Sequence, residues 1–289
     1  VLGVDCSMSP LLQEKTALLA ADVAFRKTQE HIKSLLGVSL SSETIREHGE
    51  RNAARIARWQ ATETASADTF AKAKGEWEFT VDAGKVNTKE KGWRDLKIAV
   101  VQKRQVGDAA TPDEWQSRAL PEASARVMWA DIATSKRFHR NWKNRLKRLG
   151  LPTTADLHVL ADGAAWIWNS ADITLPDCHQ TLDIYHAAEH IAAAGKRLYG
   201  DDSPDAAAFF ERGRSLLIAE GWTGVCRLMG EEYAREDTPK RRAILEKLTL
   251  YFVKHLKRLD YAANLQSGKA SGSGVVEGAA KTLGLRPKA

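Results

Sequence analysis

The sequence predicts an α/β fold in which a mixed sheet is flanked by helical regions. Apolar residues recur with helical spacing over about residues 10–58. From Trp77 the period changes to the alternation of a strand, and further strand-like and helical segments follow. Over about residues 185–263 the pattern is helical again. We therefore expect helices, then β-β-β-α-β-α-β, then an all-helical insertion, then a last helix that carries Glu277.

This order divides the chain into segments of different composition. The stretch before the first strand is rich in Thr, Ser, Ala and Lys and poor in apolar residues, which is typical of a linker. The expected segments are a helical, DNA-binding region at 1–60, a linker at 61–75, a sheet core at 76–190, a helical insertion at 191–265 and a C-terminal core helix at 266–289.

The composition is that of a globular protein without a membrane partner. Hydrophobic residues make up 43% and charged residues 28% of the chain, and no apolar run is long enough to cross a bilayer. Cys6, Cys178 and Cys226 are far apart and form no CxxC pair. This spacing argues against a disulfide framework and favours a reducing, cytoplasmic compartment.

The N-terminal helices have the outline of a helix-turn-helix. One helix is predicted to end at Gly37, and another to begin with Ser41 or Ser42 as N-cap and Glu43 in its first turn. A helix, a glycine-containing turn and a second helix form the outline of a DNA-reading motif. A plain helical hairpin has the same pattern, so both interpretations stay open.

Three strands are predicted before the first core helix. In "EWEFTVDAGKV", Trp77, Phe79 and Val81 share one face of a strand that we expect to end at Asp82. The segments "WRDLKIAVVQKR" and "RVMWADI" are expected to supply the second and third strands.

A fourth strand is predicted in "DLHVLADGAAWIWN", with its end at Asp162. In the same segment Trp166 and Trp168 alternate with Ile167, which we also interpret as strand periodicity. Nine tryptophans could include stacking platforms for unpaired DNA, but for most of them core packing is the better expectation.

A strongly basic helix is predicted at 135–149. The segment "KRFHRNWKNRLKR" carries seven basic residues and no acidic one, within a chain of net charge +6. A phosphate backbone is the natural partner of such a stripe, and a solvated helix face is the alternative. The apolar side of this helix is expected to consist of Phe138, Trp142, Leu146 and Leu149.

Three carboxylates are the candidates for catalysis. Asp82 and Asp162 follow predicted strands and are succeeded by small residues, at the edge where open α/β sheets place their active sites. Glu277 lies in "SGSGVVEGAAK", where small neighbours allow close backbone approach. Mg²⁺ prefers oxygen ligands, and two such ions can hold both the attacking and the leaving oxygen of a phosphoryl displacement. Taken singly, each residue could instead form a turn or favour a helix N-terminus.

The segment "LDIYHAAEH" brings further polar groups to the end of the last predicted strand. His186 and His190 lie one helical turn apart and could bind zinc, but their order does not match HExxH and no third ligand is near in sequence. One of these histidines is expected to contact DNA phosphate or to orient Asp162, with Asp183 as a supporting partner. The alternative is that both histidines line the helical insertion.

Five phrases together resemble one protein family. "VDAGKVN", "GWRDLKIAVVQKR", "LADGAAWIWN", "LDIYHAAEH" and "GSGVVEGAAKTLGLR" are similar to segments of the DDE transposases of bacterial insertion sequences, in particular the ISKra type. The resemblance covers nearly the whole chain. It implies an RNase H-like core with a helical insertion before the catalytic glutamate, and it matches Asp82, Asp162 and Glu277 to the catalytic triad.

The resemblance also implies cofactors, partners and place of action. It implies two Mg²⁺ or Mn²⁺ ions, and DNA as partner, both as the element's terminal repeats and as target. It further implies a homodimer or larger assembly on DNA, and a bacterial cytoplasmic protein that joins the nucleoid when bound. An inactive DNA-binding relic or regulator, and a nuclease without strand transfer, are the alternatives. The candidate DNA contacts are Lys85, Lys136, Arg137, Arg140, Lys143 and Lys281.

Overall fold

The computed structural model describes residues 8–88, 91–235 and 238–284, except for the side chains of residues 61 and 281–284. The strands are β1 (Glu76–Thr88), β2 (Gly92–Arg104), β3 (Ala123–Ile132), β4 (Leu157–Ala161) and β5 (His179–Leu182). The helices before β4 are α1 (Pro10–Asp22), α2 (Phe25–Leu36), α3 (Ser42–Thr62), α4 (Ala65–Lys72), α5 (Ser135–His139) and α6 (Trp142–Arg148). The later helices are α7 (Ala165–Thr174), α8 (Ile184–Tyr199), α9 (Pro204–Glu220), α10 (Trp222–Tyr233), α11 (Pro239–Val253), α12 (Tyr261–Gln266) and α13 (Gly274–Gly284).

The chain divides into two compact units. Among the described residues, the first contains 8–66, 85–88, 91–94 and 280–284, and the second contains 67–84, 95–235 and 238–279. Asp82, Asp162 and Glu277 all belong to the second unit.

The five strands form one mixed sheet in the order β3-β2-β1-β4-β5. β2 and β3 are antiparallel, whereas β4 is parallel to both β1 and β5. The α/β class with a mixed sheet is therefore confirmed, and this strand order is compatible with an RNase H-like core. In the parallel ladder Val81 pairs with Ala161, so the next residues, Asp82 and Asp162, lie at the same edge of the sheet.

The predicted end of β1 was wrong. The strand does not stop at Asp82 but continues to Thr88. β1 lies between β4 and β2 in the sheet, so it can continue past the end of its ladder with β4 by pairing with β2. Only the parallel ladder with β4 ends at Val81.

The first unit contains the predicted N-terminal helices. α2 ends at Gly37, whose φ of 67° is the left-handed conformation that glycine adopts without steric cost. α3 begins after Ser41, whose hydroxyl accepts a hydrogen bond from Thr44 N at 3.0 Å. The helix, glycine turn and helix are thus confirmed, while DNA reading by them stays a prediction.

The expected linker at 61–75 contains α4. Phe70 on this helix is buried and packs against Trp77 at a centroid distance of 5.0 Å. Lys103 reaches across from β2 and donates to the carbonyl oxygens of Ala71 and Ala73 at 2.9 Å. The segment predicted as a linker therefore belongs to the core, because the Phe70 ring is buried there. Composition alone does not reveal this.

The basic segment forms two short helices, α5 and α6, instead of the single predicted helix. Its predicted apolar side is confirmed, since Phe138, Trp142, Leu146 and Leu149 are all buried. Trp142 packs edge-on against Phe79 of β1, with ring centroids 5.2 Å apart. The segment is thereby held on one face of the sheet while its basic side chains face solvent.

The assignment of "AWIWN" to a strand was wrong. β4 ends at Ala161, and Trp166, Ile167 and Trp168 belong to helix α7. Ile167 and Trp168 are both buried, and a continuous apolar run does not distinguish a buried helix from a strand. The expectation of core packing is confirmed for the tryptophans as a set, since seven of the nine belong to the core or pack against it.

Helices α8 to α12 form the predicted helical part. The switch from strand to helix comes at Asp183, which directly follows β5 and is the N-cap of α8. Within the residues that the structure describes, no helix combines the length and the apolar character needed to cross a membrane.

Candidate functional site

The candidate site lies at the carboxyl ends of β4 and β5, beside β1. Asp82 is partly exposed and its Oδ1 accepts a hydrogen bond from Ala83 N. Asp162 is also partly exposed, and its Oδ1 accepts a hydrogen bond from Ala164 N at 2.9 Å. Its backbone oxygen accepts a second hydrogen bond from Trp168 Nε1 at 2.8 Å. These bonds fix the turn between β4 and α7 and hold the Asp162 carboxylate at the sheet edge.

The two aspartates interact electrostatically. Burial raises the pKa of Asp162, the hydrogen bond from Ala164 N lowers it, and the charge of Asp82 raises it further. A carboxylate whose ionised form is disfavoured by burial and by a second carboxylate would be stabilised by a cation between the two. Two carboxylates are the kind of donor that a divalent metal ion prefers, so the chemistry of the pair fits such an ion.

Glu277 lies on α13, which is connected to the same sheet edge through Asp183. Asp183 is fully buried, and its backbone N donates to Ala161 O at 2.8 Å. Its Oδ1 accepts hydrogen bonds from Tyr185 N and His186 N, while its Oδ2 accepts from both the backbone N and the Oγ of Ser273. Ser273 immediately precedes α13. Asp183 thus ties the start of the Glu277 helix to the end of β4.

Gly272 explains how this segment comes so close to Asp183. A Cβ atom at this position would lie 3.1 Å from the Tyr185 ring and 3.6 Å from the Asp183 carboxylate. Ser271 O accepts a hydrogen bond from Ile184 N at 3.0 Å next to it. The expectation that small residues before Glu277 allow close approach is confirmed for Gly272.

The three predicted carboxylates are not assembled into one metal site. Among the described residues, no group of three or more His, Cys, Asp or Glu side chains is arranged to hold a metal ion. Asp82 and Asp162 are close enough for the charge of one to shift the pKa of the other. Glu277 lies on the first turn of α13 and is partly exposed. Carboxylate oxygens are the ligands that Mg²⁺ prefers, and the two-ion arrangement implied by the resemblance needs Glu277 as well as the two aspartates.

Within the described part of the chain, neither His186 nor His190 of α8 forms a hydrogen bond with Asp162. His186 Nδ1 is 3.2 Å from Glu189 Oε2, and the charge of His186 lowers the pKa of Asp162. His190 stacks on Tyr251 of α11, with ring centroids 3.6 Å apart and an interplanar angle of 19°. Burial lowers the pKa of His190. The position of His190 agrees with the alternative in which the histidines line the helical insertion.

Tyr251 is a site residue that the sequence did not indicate. Its hydroxyl lies 2.8 Å from the point where a Cβ atom of Gly163 would be, directly after Asp162. We expected the glycine after Asp162 to leave room for metal and phosphate, but this space is filled by Tyr251. By contrast, a Cβ atom at Gly84, near Asp82, would meet no atom within 4 Å. The open side of the aspartate pair is thus the Asp82 side.

Four of the predicted DNA contacts form an exposed basic patch. Lys136, Arg137, Arg140 and Lys143 are all exposed on and between α5 and α6. Lys85 is exposed on β1 within the first unit, and the side chain of Lys281 lies outside the described part of the chain. Arg145 was not predicted, and its guanidinium lies 5.2 Å from the ring centroid of Trp129.

No model of a known protein family matches the chain, and a comparison with curated protein sequences also finds no match.

Proposed function

We propose that this protein is a DDE-type DNA transposase with an RNase H-like core. The observation that carries the proposal is the placement of Asp82 and Asp162 side by side, directly after the last pair of the parallel ladder between β1 and β4. In open α/β sheets this edge is where ligands bind. A sheet of order β3-β2-β1-β4-β5 followed by a helical insertion and the Glu277 helix supports the same proposal.

The proposed chemistry is metal-dependent phosphodiester transfer with Mg²⁺ or Mn²⁺. A water molecule attacks the phosphorus at the element's end, and the bond from phosphorus to the 3′ oxygen breaks to leave a 3′-hydroxyl. That hydroxyl then attacks a target phosphorus and displaces the 3′ oxygen of the target strand. Asp82 and Asp162 would hold a bound metal ion, which supplies charge stabilisation to the reacting phosphate. Glu277 on α13 is the proposed third ligand, in an assembly of two ions.

Substrate binding is proposed to use the basic patch of α5 and α6. Each phosphate contact by such exposed lysine or arginine side chains contributes sequence-independent affinity that falls with salt. Recognition of the terminal repeats is assigned to α2 and α3, and bringing two ends together requires at least a dimer. Action takes place in the bacterial cytoplasm, on nucleoid DNA.

The test is a cleavage assay on duplex DNA that flanks the protein's own coding sequence, in the presence of Mg²⁺ or Mn²⁺. We expect strand cleavage that Asp82→Asn and Asp162→Asn each reduce by at least about 1,000-fold, because each substitution removes a metal ligand. Lys240→Gln, an exposed change on α11, is the control. A supercoiled plasmid added as target distinguishes a transposase, which joins the cut end to it, from a nuclease of the same fold.

A DNA-binding protein without catalysis is the second candidate. The observation that favours it is the absence of a three-carboxylate group in the described part of the chain. Such a protein would bind flanking DNA with the same affinity before and after Asp82→Asn, and would show no metal-dependent cleavage. Cleavage by the unaltered chain that Glu277→Gln abolishes would exclude this candidate.

A further inference from the structure

A cleft lies between α8 and α11. It has a volume of about 540 Å³. This volume is in the range of sites that enclose a molecule of drug or nucleotide size. Its floor is apolar and is formed by Ala193, Ala194, Ala243, Ile244, Leu248 and Leu250.

The charged residues of the cleft are mostly cationic. Arg197 of α8, Lys247 of α11 and the adjacent Lys254 are exposed, with Glu246 as the carboxylate among the lining residues. None of these three cations forms an ion pair with a carboxylate of the described residues. Their charge therefore remains available to an anionic ligand, and the apolar floor is available to a planar group.

The cleft is linked to the candidate site through Tyr251, which lines it and lies against Gly163, the residue after Asp162. His190 and Tyr251, whose rings are stacked, both line the cleft, and the Tyr251 hydroxyl lies 2.8 Å from the point where a Cβ atom of Gly163 would be. This hydroxyl is buried and has no hydrogen-bond partner in the described part of the chain. Buried polar groups are usually hydrogen-bonded, so this hydroxyl is a candidate to bond a ligand atom in the cleft. Burial raises the pKa of Tyr251, which keeps the hydroxyl neutral and able to donate.

We propose that this cleft binds one or two unpaired nucleotides of the DNA strand that passes Asp162. The inference rests on the proposed function and adds to it the path of the strand over the helical insertion. A duplex is too wide for a cleft of this volume, whereas one unpaired base can lie on the apolar floor while its phosphates meet the three cations. The strand then runs from the aspartate pair across His190 and Tyr251 into the cleft.

The test compares binding of two fluorescent DNA probes to the full chain by anisotropy, without divalent metal. One probe is a forked duplex with an unpaired poly-dT arm, and the other is the same duplex fully paired. The variant is the double substitution Arg197→Gln with Lys247→Gln. The control is Lys196→Gln with Lys240→Gln, which makes the same charge change on the same two helices outside the cleft.

We expect the cleft variant to weaken fork binding by at least about 10-fold and paired-duplex binding by less than about 3-fold. Loss of two phosphate contacts should also reduce the salt slope for the fork by about 1.4. The control should change both affinities by less than about 3-fold. Equal losses for fork and duplex would mean a general basic surface, and an unchanged fork affinity would mean that the cleft does not hold DNA.

The two proposals fail in different ways. Metal-dependent cleavage by the unaltered chain, together with normal fork binding by the cleft variant, overturns only the cleft. Absence of cleavage by the unaltered chain, with fork binding lost in the variant, overturns the catalytic proposal and leaves a DNA-binding cleft.

Discussion

Replacement of Asp183 by alanine tests how the Glu277 helix is held at the sheet edge. The side chain of Asp183 is fully buried and accepts four hydrogen bonds, two from the first turn of α8 and two from Ser273. Asp183→Ala removes all four at once. The variant therefore affects both the N-cap of α8 and the segment that leads into α13.

The expected loss of stability is the sum of two contributions, one from the N-cap of α8 and one from the hydrogen bonds to Ser273. Loss of a helix N-cap costs about 1 kcal/mol, with a range of about 0.5–2. Leaving a buried donor unsatisfied costs about 1–3 kcal/mol, and the Ser273 backbone N–H is such a donor. We therefore expect Asp183→Ala to lower the free energy of unfolding by about 2–5 kcal/mol. For a chain of this size that corresponds to a fall in Tm of roughly 3–8 °C.

Urea unfolding followed by circular dichroism measures this loss. Ser203→Ala is the matched control, because Ser203 caps α9 through hydrogen bonds from Asp205 N and Ala206 N and has no link to Ser273. This control should cost about 1 kcal/mol. If Asp183→Ala costs no more than Ser203→Ala, the bonds to Ser273 do not hold α13, and the argument for the position of Glu277 fails.

Three further predictions address charge, protonation and packing. Because burial raises the pKa of Asp162, its ionised form opposes folding above that pKa, so Asp162→Asn should raise Tm at pH 7 and the gain should shrink as the pH falls. A lower Tm of the variant at pH 7 would contradict this. Burial lowers the pKa of His255 to about 4, so its contribution to stability is present above about pH 6.5 and is lost as the pH falls toward 4. Between pH 7 and pH 4 the free energy of unfolding of His255→Gln should therefore fall by about 2 kcal/mol less than that of the unaltered chain, as measured in denaturant titrations. The same pH dependence in both proteins would refute this. Phe70→Ala should lower the free energy of unfolding by about 3–5 kcal/mol, whereas the control Leu35→Ala, at an exposed position, should lower it by less than about 0.5 kcal/mol. A loss below about 1 kcal/mol for Phe70→Ala would show that α4 is not part of the core.

Local patterns predicted the elements where one face or one cap dominates. The alternation of Trp77, Phe79 and Val81 marked β1, and Gly37 and Ser41 marked the end of α2 and the start of α3. The spacing of apolar residues predicted the wrong type of element where nearly all side chains are buried. In α7 the run of Trp166, Ile167 and Trp168 has no polar face to reveal its period.

The position of Asp82 and Asp162 at one edge could also be predicted, because each directly follows a run of buried strand residues. The predicted end of β1 at Asp82 was wrong, but the parallel ladder with β4 does end just before it. The contact of Tyr251 with Gly163 could not be predicted, because no residue near Tyr251 in sequence indicates it. The two residues meet only through the packing of α11 against the turn after β4.

Neighbouring residues and their periodicity are enough to predict the α/β class, the two aspartates that follow buried strand residues, and the basic character of α5 and α6. The hydrogen bonds between Asp183 and Ser273 are not predictable in this way, because the two residues are 90 positions apart. The same holds for the packing of α4 into the core and for the lack of a three-carboxylate group in the described part of the chain. Such contacts are selected by the close packing of distant segments, and local propensity carries no information about which distant segment will arrive.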